Sequence, residues 1–169
     1  MAAPALVEAP APAGTEPDGW EARLELRFER ERARTVLAAR RHVGPLRVQK
    51  PLYPEGPDVC QVIVVHPPGG IVAGDSLVIR IDAGECAHVQ LTTPGAAKWY
   101  RSPGPVARAE TTVLVRAGAF VEWLPQDALL FNGARASIAL RILLAADARF
   151  IGWDVTSLGR TESGERFAS

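Results

Sequence analysis

The segment from His66 to Asp75, HPPGGIVAGD, forces the chain into a shaped turn. Its prolines fix φ and remove backbone donors, while Gly69, Gly70 and Gly74 open positive-φ conformations that other residues avoid. The apolar run QVIVV precedes this segment, and the alternating run SLVIRID follows it. The sequence therefore predicts a strand, a loop of specified conformation and a second strand, with His66 and Asp75 at the two ends of the loop.

This glycine-rich loop differs from the loops that bind phosphate. A P-loop needs Lys and Ser or Thr directly after its last glycine, and a dinucleotide fingerprint opens a helix with GxGxxG. Here Gly74 is followed by Asp75, whose negative charge would repel a phosphate. The segment argues against nucleotide binding and leaves a purely structural turn open.

Apolar and polar residues alternate with a period of two along much of the chain, which predicts β structure. The predicted strands are 23–28, 35–39, 61–65, 76–82, 88–92, 111–116, 120–124, 137–144 and 149–153. Turn signals such as SPGP and NG separate them, and small residues suggest one short helix over 95–101. Short strands at near-regular spacing predict an all-β fold with few short helices, arranged as a sandwich, a barrel or a β-solenoid.

Composition and charge exclude several classes of partner. The 169 residues are 47% hydrophobic, enough for one domain with a real core. The 19 basic and 19 acidic residues cancel, so no net field recruits nucleic acid or an anionic membrane, and we expect neither as a partner. Residues 23–50 are rich in arginine, which fits a solvated strand face of alternating Arg and Glu or a contact for an acidic partner.

Cysteine usage and the N-terminus indicate the compartment and the start of the fold. Cys60 and Cys86 are too few for a disulfide scaffold and are typical of a reducing cytosol. Neither a membrane-spanning stretch nor a signal-peptide pattern is present, so we expect a cytoplasmic protein. Residues 1–19, rich in Ala and Pro, predict a disordered tail, and residues 20–169 are expected to form the β domain, which begins at Trp20.

Four further segments have a composition too specific for ordinary connecting loops: GPLRVQKPLYPEG, TTPGAAKWYRS, EWLPQD and LGRTESGE. Each alone is compatible with a turn between strands. Together with HPPGGIVAGD, and in this order, they resemble the urease accessory protein D family (UreD, also called UreH). The resemblance runs from Trp20 to Phe167.

The resemblance implies a mainly β fold with solenoid-like stacking and a role in urease maturation. A member of this family is a non-enzymatic scaffold or chaperone that binds the urease apoprotein together with the accessory proteins UreF and UreG, the latter a GTPase. It helps to deliver nickel to the urease active site, so the resemblance implies transient Ni²⁺ and no tightly bound cofactor. The alternative is a β-rich protein-interaction adapter with no metal role.

A protein that passes Ni²⁺ onward needs ligands that hold it weakly. Carboxylates with an occasional His suit this better than a closed Cys/His site. The resemblance puts Asp75 and Asp154 first on the nickel path, followed by Glu165, whereas His66 is a weaker candidate and Glu162 lies in the same acidic loop as Glu165. For each carboxylate, a turn-capping role facing water stays open.

Other chemistry finds little support in the sequence. Cys86 and His88 are predicted to share one face of a strand, but zinc-finger spacing is absent, so we prefer buried or hydrogen-bonded roles for Cys60, His66, Cys86 and His88. GxSxG and HExxH are also absent, and no spacing selects a nucleophile for a dyad of His66 and Asp75. We therefore expect no enzyme activity.

Members of the family usually continue for about a hundred residues beyond the LGRTESGE motif, a length typical of a further domain's worth of chain. We therefore expect this chain to be truncated at its C-terminus. A β array cut in this way has an unpaired edge and exposed apolar surface, which predicts self-association.

Overall fold

Almost all of the regular structure in this computed structural model, which describes residues 19–168, consists of β-strands. The strands are β1 Glu21–Glu31, β2 Arg34–Val43, β3 Arg47–Val48, β4 Val59–Val65, β5 Ser76–Ala83, β6 His88–Thr92, β7 Ala97–Trp99, β8 Ala107–Val115, β9 Phe120–Leu124, β10 Ala128–Leu130, β11 Ala136–Leu144, β12 Arg149–Gly152 and β13 Thr156–Leu158. One 3₁₀ turn, Thr161–Ser163, follows. No helix among the described residues is long and apolar enough to cross a membrane. The predicted tail lies outside them, apart from Gly19.

The strands form three sheets that the chain visits in turn. Sheet I has the order β11-β8-β5-β1-β2, sheet II the order β12-β9-β6-β4-β3, and sheet III the order β13-β10-β7. From β5 onward the chain passes from sheet I to sheet II to sheet III and then repeats. Successive passes pair in parallel, with Ser76 beside Arg108 and Arg108 beside Ser137, so one coil takes about 30 residues. The architecture is a three-faced β-solenoid.

Inward-facing side chains stack in rungs along the solenoid. In sheet I, Phe28, Ala83, Val115 and Leu144 occupy equivalent positions on four neighbouring strands. The first three of these residues are fully buried. In sheet II, Val89 and Val121 stack in the same way and are also fully buried. The core therefore consists of aligned apolar rungs closed off by the three sheets.

The N-terminal strands cover one end of this stack. β2 pairs antiparallel with β1, and β3 pairs antiparallel with β4. The outer edge of β2 carries the exposed Arg40 and Arg41. Along β1, Arg23 and Glu21 form a salt bridge at 2.6 Å. The arginine-rich segment is therefore a solvated face on which Arg and Glu alternate.

The structure confirms the predicted all-β class and selects the solenoid among the three arrangements. β6 and β9 have the predicted bounds. The predicted helix over 95–101 is wrong, because Trp99 is buried and the backbone of β7 pairs with β10. The predicted strand placement of Cys86 is also wrong, since Cys86 lies in a turn with φ 57° and shares no strand face with His88.

We expect the rungs to dominate stability. Leu91 is fully buried in β6, so Leu91→Ala should lower the free energy of unfolding by about 2–5 kcal/mol. Leu52→Ala, at a position with 48% exposure, is the matched control and should cost less than about 1 kcal/mol. Urea denaturation of both variants measures the difference, and equal losses would contradict this description of the core.

Candidate functional site

The HPPGGIVAGD loop takes the place of a sheet III strand between β4 and β5. Ile71 forms a parallel bridge with Trp99. Its N–H donates to the Lys98 carbonyl at 2.8 Å, and its own carbonyl accepts from the Tyr100 N–H at 2.9 Å. The loop therefore adds one more level to sheet III and brings His66 and Asp75 to the solenoid wall.

The glycines of this loop serve two different needs. Gly69 and Gly74 have φ of 75° and 81°, as predicted. Gly70 does not have a positive φ, and its role is steric instead. A Cβ at this position would lie 2.2 Å from Cε2 of Tyr100. The ring of Tyr100 thus lies directly against the backbone of the loop.

Asp75 is buried, with 1% exposure. Its Oδ2 accepts a hydrogen bond from the Val72 N–H at 2.9 Å, and its Oδ1 accepts one from the Trp20 N–H at 3.3 Å. The carboxylate therefore caps its own loop and also ties that loop to the residue before β1. The expected turn-capping contact is present at Asp75, but the expectation that this carboxylate faces water is wrong, because the side chain is buried and both oxygens accept from backbone donors.

His66 is half-buried at the end of β4. Its ring centroid lies 6.1 Å from that of Trp20, with the two rings tilted. Burial lowers the pKa of His66 below its ordinary value, and the negative charge of Asp75 opposes this in part. The imidazole is therefore neutral at pH 7, which is the form that binds metal ions.

A cavity of 270 Å³ lies between the inner faces of the three sheets. Its walls include His66 and Trp99 as well as Asp154, which follows β12 in the last coil. Asp154 is exposed, and its carboxylate makes no hydrogen bond or ion pair with another described residue. The indole Nε1 of Trp99 is buried without a hydrogen-bond partner. The mainly apolar cavity thus carries an imidazole, an unpaired carboxylate and an indole that lacks an acceptor.

A second cluster, which we term the motif face, consists of Gly70, Tyr100, Phe131, Arg160 and Glu165. The rings of Tyr100 and Phe131 are 4.7 Å apart, and the Arg160 guanidinium lies 4.7 Å from the Phe131 centroid. These three residues come just after β7, β10 and β13, which lie side by side in sheet III. These contacts join the HPPGGIVAGD, TTPGAAKWYRS and LGRTESGE segments on one surface.

Glu165 is held on the motif face by its neighbours. One carboxylate oxygen accepts from Arg160 Nε at 3.0 Å, and the other accepts from the Asn132 N–H at 3.4 Å. The hydrogen bond from Arg160 lowers the pKa of Glu165. This carboxylate is therefore ionised and already paired with a cation. Glu162 is exposed in the adjacent 3₁₀ turn.

The fold brings some of the candidate metal ligands together and separates others. His66 and Asp154 line one cavity, whereas Asp75 and Glu165 are not among its lining residues. Within residues 19–168, no group of three or more His, Cys, Asp or Glu side chains is arranged to hold a metal ion. The described residues therefore offer isolated His and carboxylate side chains and not a coordination cage.

The two cysteines and His88 have separate environments. Cys60 is buried, and burial raises the pKa of its thiol, which disfavours the thiolate that metals bind. Cys86 is exposed. His88 Nε2 lies 2.7 Å from a carboxylate oxygen of Glu122. The expected buried or hydrogen-bonded roles therefore hold for Cys60 and His88, whereas this expectation is wrong for the exposed Cys86.

Phe131 is the member of the motif face that sequence reasoning missed. Nothing in its local context, FNG, distinguishes it from an ordinary turn residue. The signal lies in the repeat, because Tyr100, Phe131 and Arg160 recur at about the coil length of 30 residues. Gly133, in the same turn, packs its Cα against Arg101, where a Cβ would lie 3.1 Å from Cγ.

Comparison with known proteins agrees with this arrangement of motifs. A family model described as UreD urease accessory protein matches residues 21–169. The urease accessory protein UreD of Dechloromonas aromatica is 57% identical over 148 residues, which cover 88% of this chain and 51% of that protein. The UreD protein of Nitrosococcus oceani is 54% identical over 90% of this chain and 52% of its own length. The UreD protein of Pseudomonas aeruginosa is 55% identical over 89% and 53%.

The chain spans about half the length of the curated relatives it matches. The matched region nevertheless includes every strand of the solenoid, the loop that carries His66 and Asp75, and the whole motif face. Because the family model covers nearly the entire described fold, the chain belongs to the UreD family of urease accessory proteins.

Proposed function

We propose that this chain is the solenoid portion of a urease maturation factor that acts in the cytoplasm. It serves as a non-enzymatic scaffold for the urease apoprotein and the accessory proteins UreF and UreG. The observation that carries the proposal is the family match over residues 21–169, supported by more than half identity to UreD proteins. A β-rich adapter with no metal role is the alternative, and the cavity favours a metal role over it.

The cavity supports a role in handing nickel onward. His66 lies beside the covered end of the solenoid, and Asp154 lies in the last coil, yet both line the same cavity. A neutral imidazole and a carboxylate each bind a borderline divalent ion, and one ligand at a time holds it weakly. An ion that moves along the interior would therefore meet a nitrogen ligand and then an oxygen ligand without being trapped.

Asp75 and Glu165 contribute differently in this proposal. Both carboxylates already have partners, Asp75 among backbone N–H groups and Glu165 beside Arg160. Neither lines the cavity. A place for either on the nickel path stays a prediction, and the contacts favour support of the loop and of the motif face.

The motif face is the surface that we assign to partner proteins. Tyr100 is 39% exposed, and its ring packs at a tilt against the ring of Phe131, over which the Arg160 guanidinium lies. Aromatic residues and arginine are enriched among the residues that dominate binding energy in interfaces. Three of the family's motifs meet at this surface, so it is the best-defined docking site that the described residues offer.

The first prediction concerns complex formation. This chain, co-expressed with UreF and the urease apoprotein, should be recovered with both in a pull-down. Arg160→Glu should abolish recovery, because it places two negative charges together on the motif face. Arg108→Glu, an exposed arginine on sheet I, is the matched control and should keep the complex. If neither partner is captured while both are soluble, the scaffold role fails.

The second prediction separates nickel transfer from stability. Asp154→Ala should change the free energy of unfolding by no more than about 0.5 kcal/mol, since the side chain is exposed and unpaired. It should nevertheless lower the nickel content of urease that matures in its presence. Asp75→Ala should cost about 1–3 kcal/mol, because it leaves buried backbone donors without an acceptor. Complex yield and urease nickel are measured in one preparation. Full nickel loading with Asp154→Ala would contradict the path.

The third prediction follows from the lowered pKa of His66. The unfolded chain takes up a proton at His66 near its ordinary pKa of about 6.5, whereas the folded chain resists protonation until a lower pH. The free energy of unfolding should therefore be highest above a pH of about 6.5. It should fall as the pH drops from there toward the lower pKa of the folded chain. His66→Asn should remove part of this fall, as measured by urea denaturation at several pH values. His42→Asn, on the exposed edge strand β2, serves as the matched control.

A further inference from the structure

One polar side chain interrupts the apolar inner face of sheet I. Side chains on a strand point alternately to its two faces, and the fully buried Val113 and Val115 mark the inward positions of β8. Thr111 belongs to this inward set, and the register places it between Ile79 of β5 and Leu140 of β11. Every other inward position of these three strands carries Ala, Val, Ile or Leu.

The hydroxyl of Thr111 makes no hydrogen bond with any residue in the described part of the chain. Other threonines of the solenoid are paired. The Thr35 hydroxyl accepts from the His88 N–H at 3.1 Å, and the Thr92 hydroxyl donates to the Leu124 carbonyl at 2.6 Å. A hydroxyl that breaks an apolar pattern without a partner in the fold indicates a role other than stability.

Thr111 lies on the wall of the cavity that His66 and Asp154 also line. His66 follows β4, next to the edge strand β3, whereas Asp154 follows β12 at the other edge of sheet II. β8, which carries Thr111, lies between β5 and β11 in sheet I. Along the solenoid, the Thr111 hydroxyl therefore lies between the imidazole and the carboxylate.

A divalent ion inside this cavity needs polar contacts between those two groups. The cavity wall is mainly apolar, and burying an ion without polar partners is costly. The volume of 270 Å³ has room for several water molecules, so an ion can keep part of its hydration shell. A hydroxyl both donates and accepts, which allows it to bond to a water ligand of the ion or to replace one.

We propose that Thr111 is a positioning residue for nickel transfer, and that its hydroxyl contacts the hydrated ion between His66 and Asp154. The inference rests on the nickel role proposed above and adds a middle step to it. The hydroxyl is neutral, so it lacks the charge attraction by which a carboxylate would hold the ion there. Weak contacts at several sites let an ion leave as well as enter.

Thr111→Val tests the hydroxyl, because it keeps the shape of the side chain and removes only the polar group. It should slow the nickel loading of urease roughly two- to tenfold, as expected for one lost hydrogen bond. Loading is followed as nickel bound per urease over time, with UreF, UreG and the apoprotein present. Thr112→Val, half-buried on the outer face of the same strand, is the matched control and should load nickel at the unmodified rate.

Urea denaturation separates this role from a purely structural one. Thr111→Val should preserve or raise the urea midpoint, because an apolar group replaces an unpaired hydroxyl. Thr111→Ser keeps the hydroxyl and loses a methyl group, so it should lower the midpoint and still load nickel at the unmodified rate. Nickel loading that rises and falls with stability in these two variants would overturn the inference.

Asp154→Ala, measured in the same series, distinguishes failure of this inference from failure of the nickel role. If Thr111→Val loads nickel at the full rate and Asp154→Ala does not, the positioning role of Thr111 is wrong and the path proposed above stands. If both variants load nickel at the full rate, the nickel role fails and the inference fails with it.

Discussion

The parallel alignment of inward-facing rungs holds this molecule together. Each coil alone is a few short strands with one apolar side, and it cannot bury that side without a neighbour above and below. The rung of Phe28, Ala83, Val115 and Leu144 shows this dependence. Its first three members are fully buried, and the last, which has no strand beyond it among the described residues, is half exposed. Burial, and with it stability, is therefore a property of stacked pairs of coils.

The loop that carries His66 and Asp75 depends on the same stacking. It enters sheet III through one residue, Ile71, and its remaining backbone groups need another partner. The Asp75 carboxylate meets part of that need and at the same time secures Trp20, just before β1. A buried carboxylate that accepts hydrogen bonds from two backbone N–H groups links elements that are distant in sequence. The position of His66 on the cavity wall thus follows from bonds that also fix the fold.

Local patterns predict the strands of four or more residues, although β1, β2 and β8 extend beyond their predicted bounds, and they miss the strands of two or three residues. β6 and β9 alternate cleanly between apolar and polar residues, so their bounds follow from periodicity. β7, β10 and β13 have three residues each, too few to show a period, and small residues near β7 suggested a helix. The burial of Trp99 favours a strand over a helix in that segment. This burial depends on neighbouring coils that are about 30 residues away in the sequence. The proximity of Tyr100, Phe131 and Arg160 likewise cannot be predicted from the sequence without knowing the length of the coil repeat.

The cavity extends from the first levels of the solenoid to its last coil. Ile138 lines the cavity and also belongs to the strand that ends sheet I. Asp154, at the same end, follows β12 in the last coil. His66 lies near the end that β2 and β3 cover, and β6 and β9 lie between β4 and β12 in sheet II. In the proposed nickel role, the imidazole and the carboxylate would therefore bind an ion one after the other and not together, because the stacking of the coils holds them on different levels.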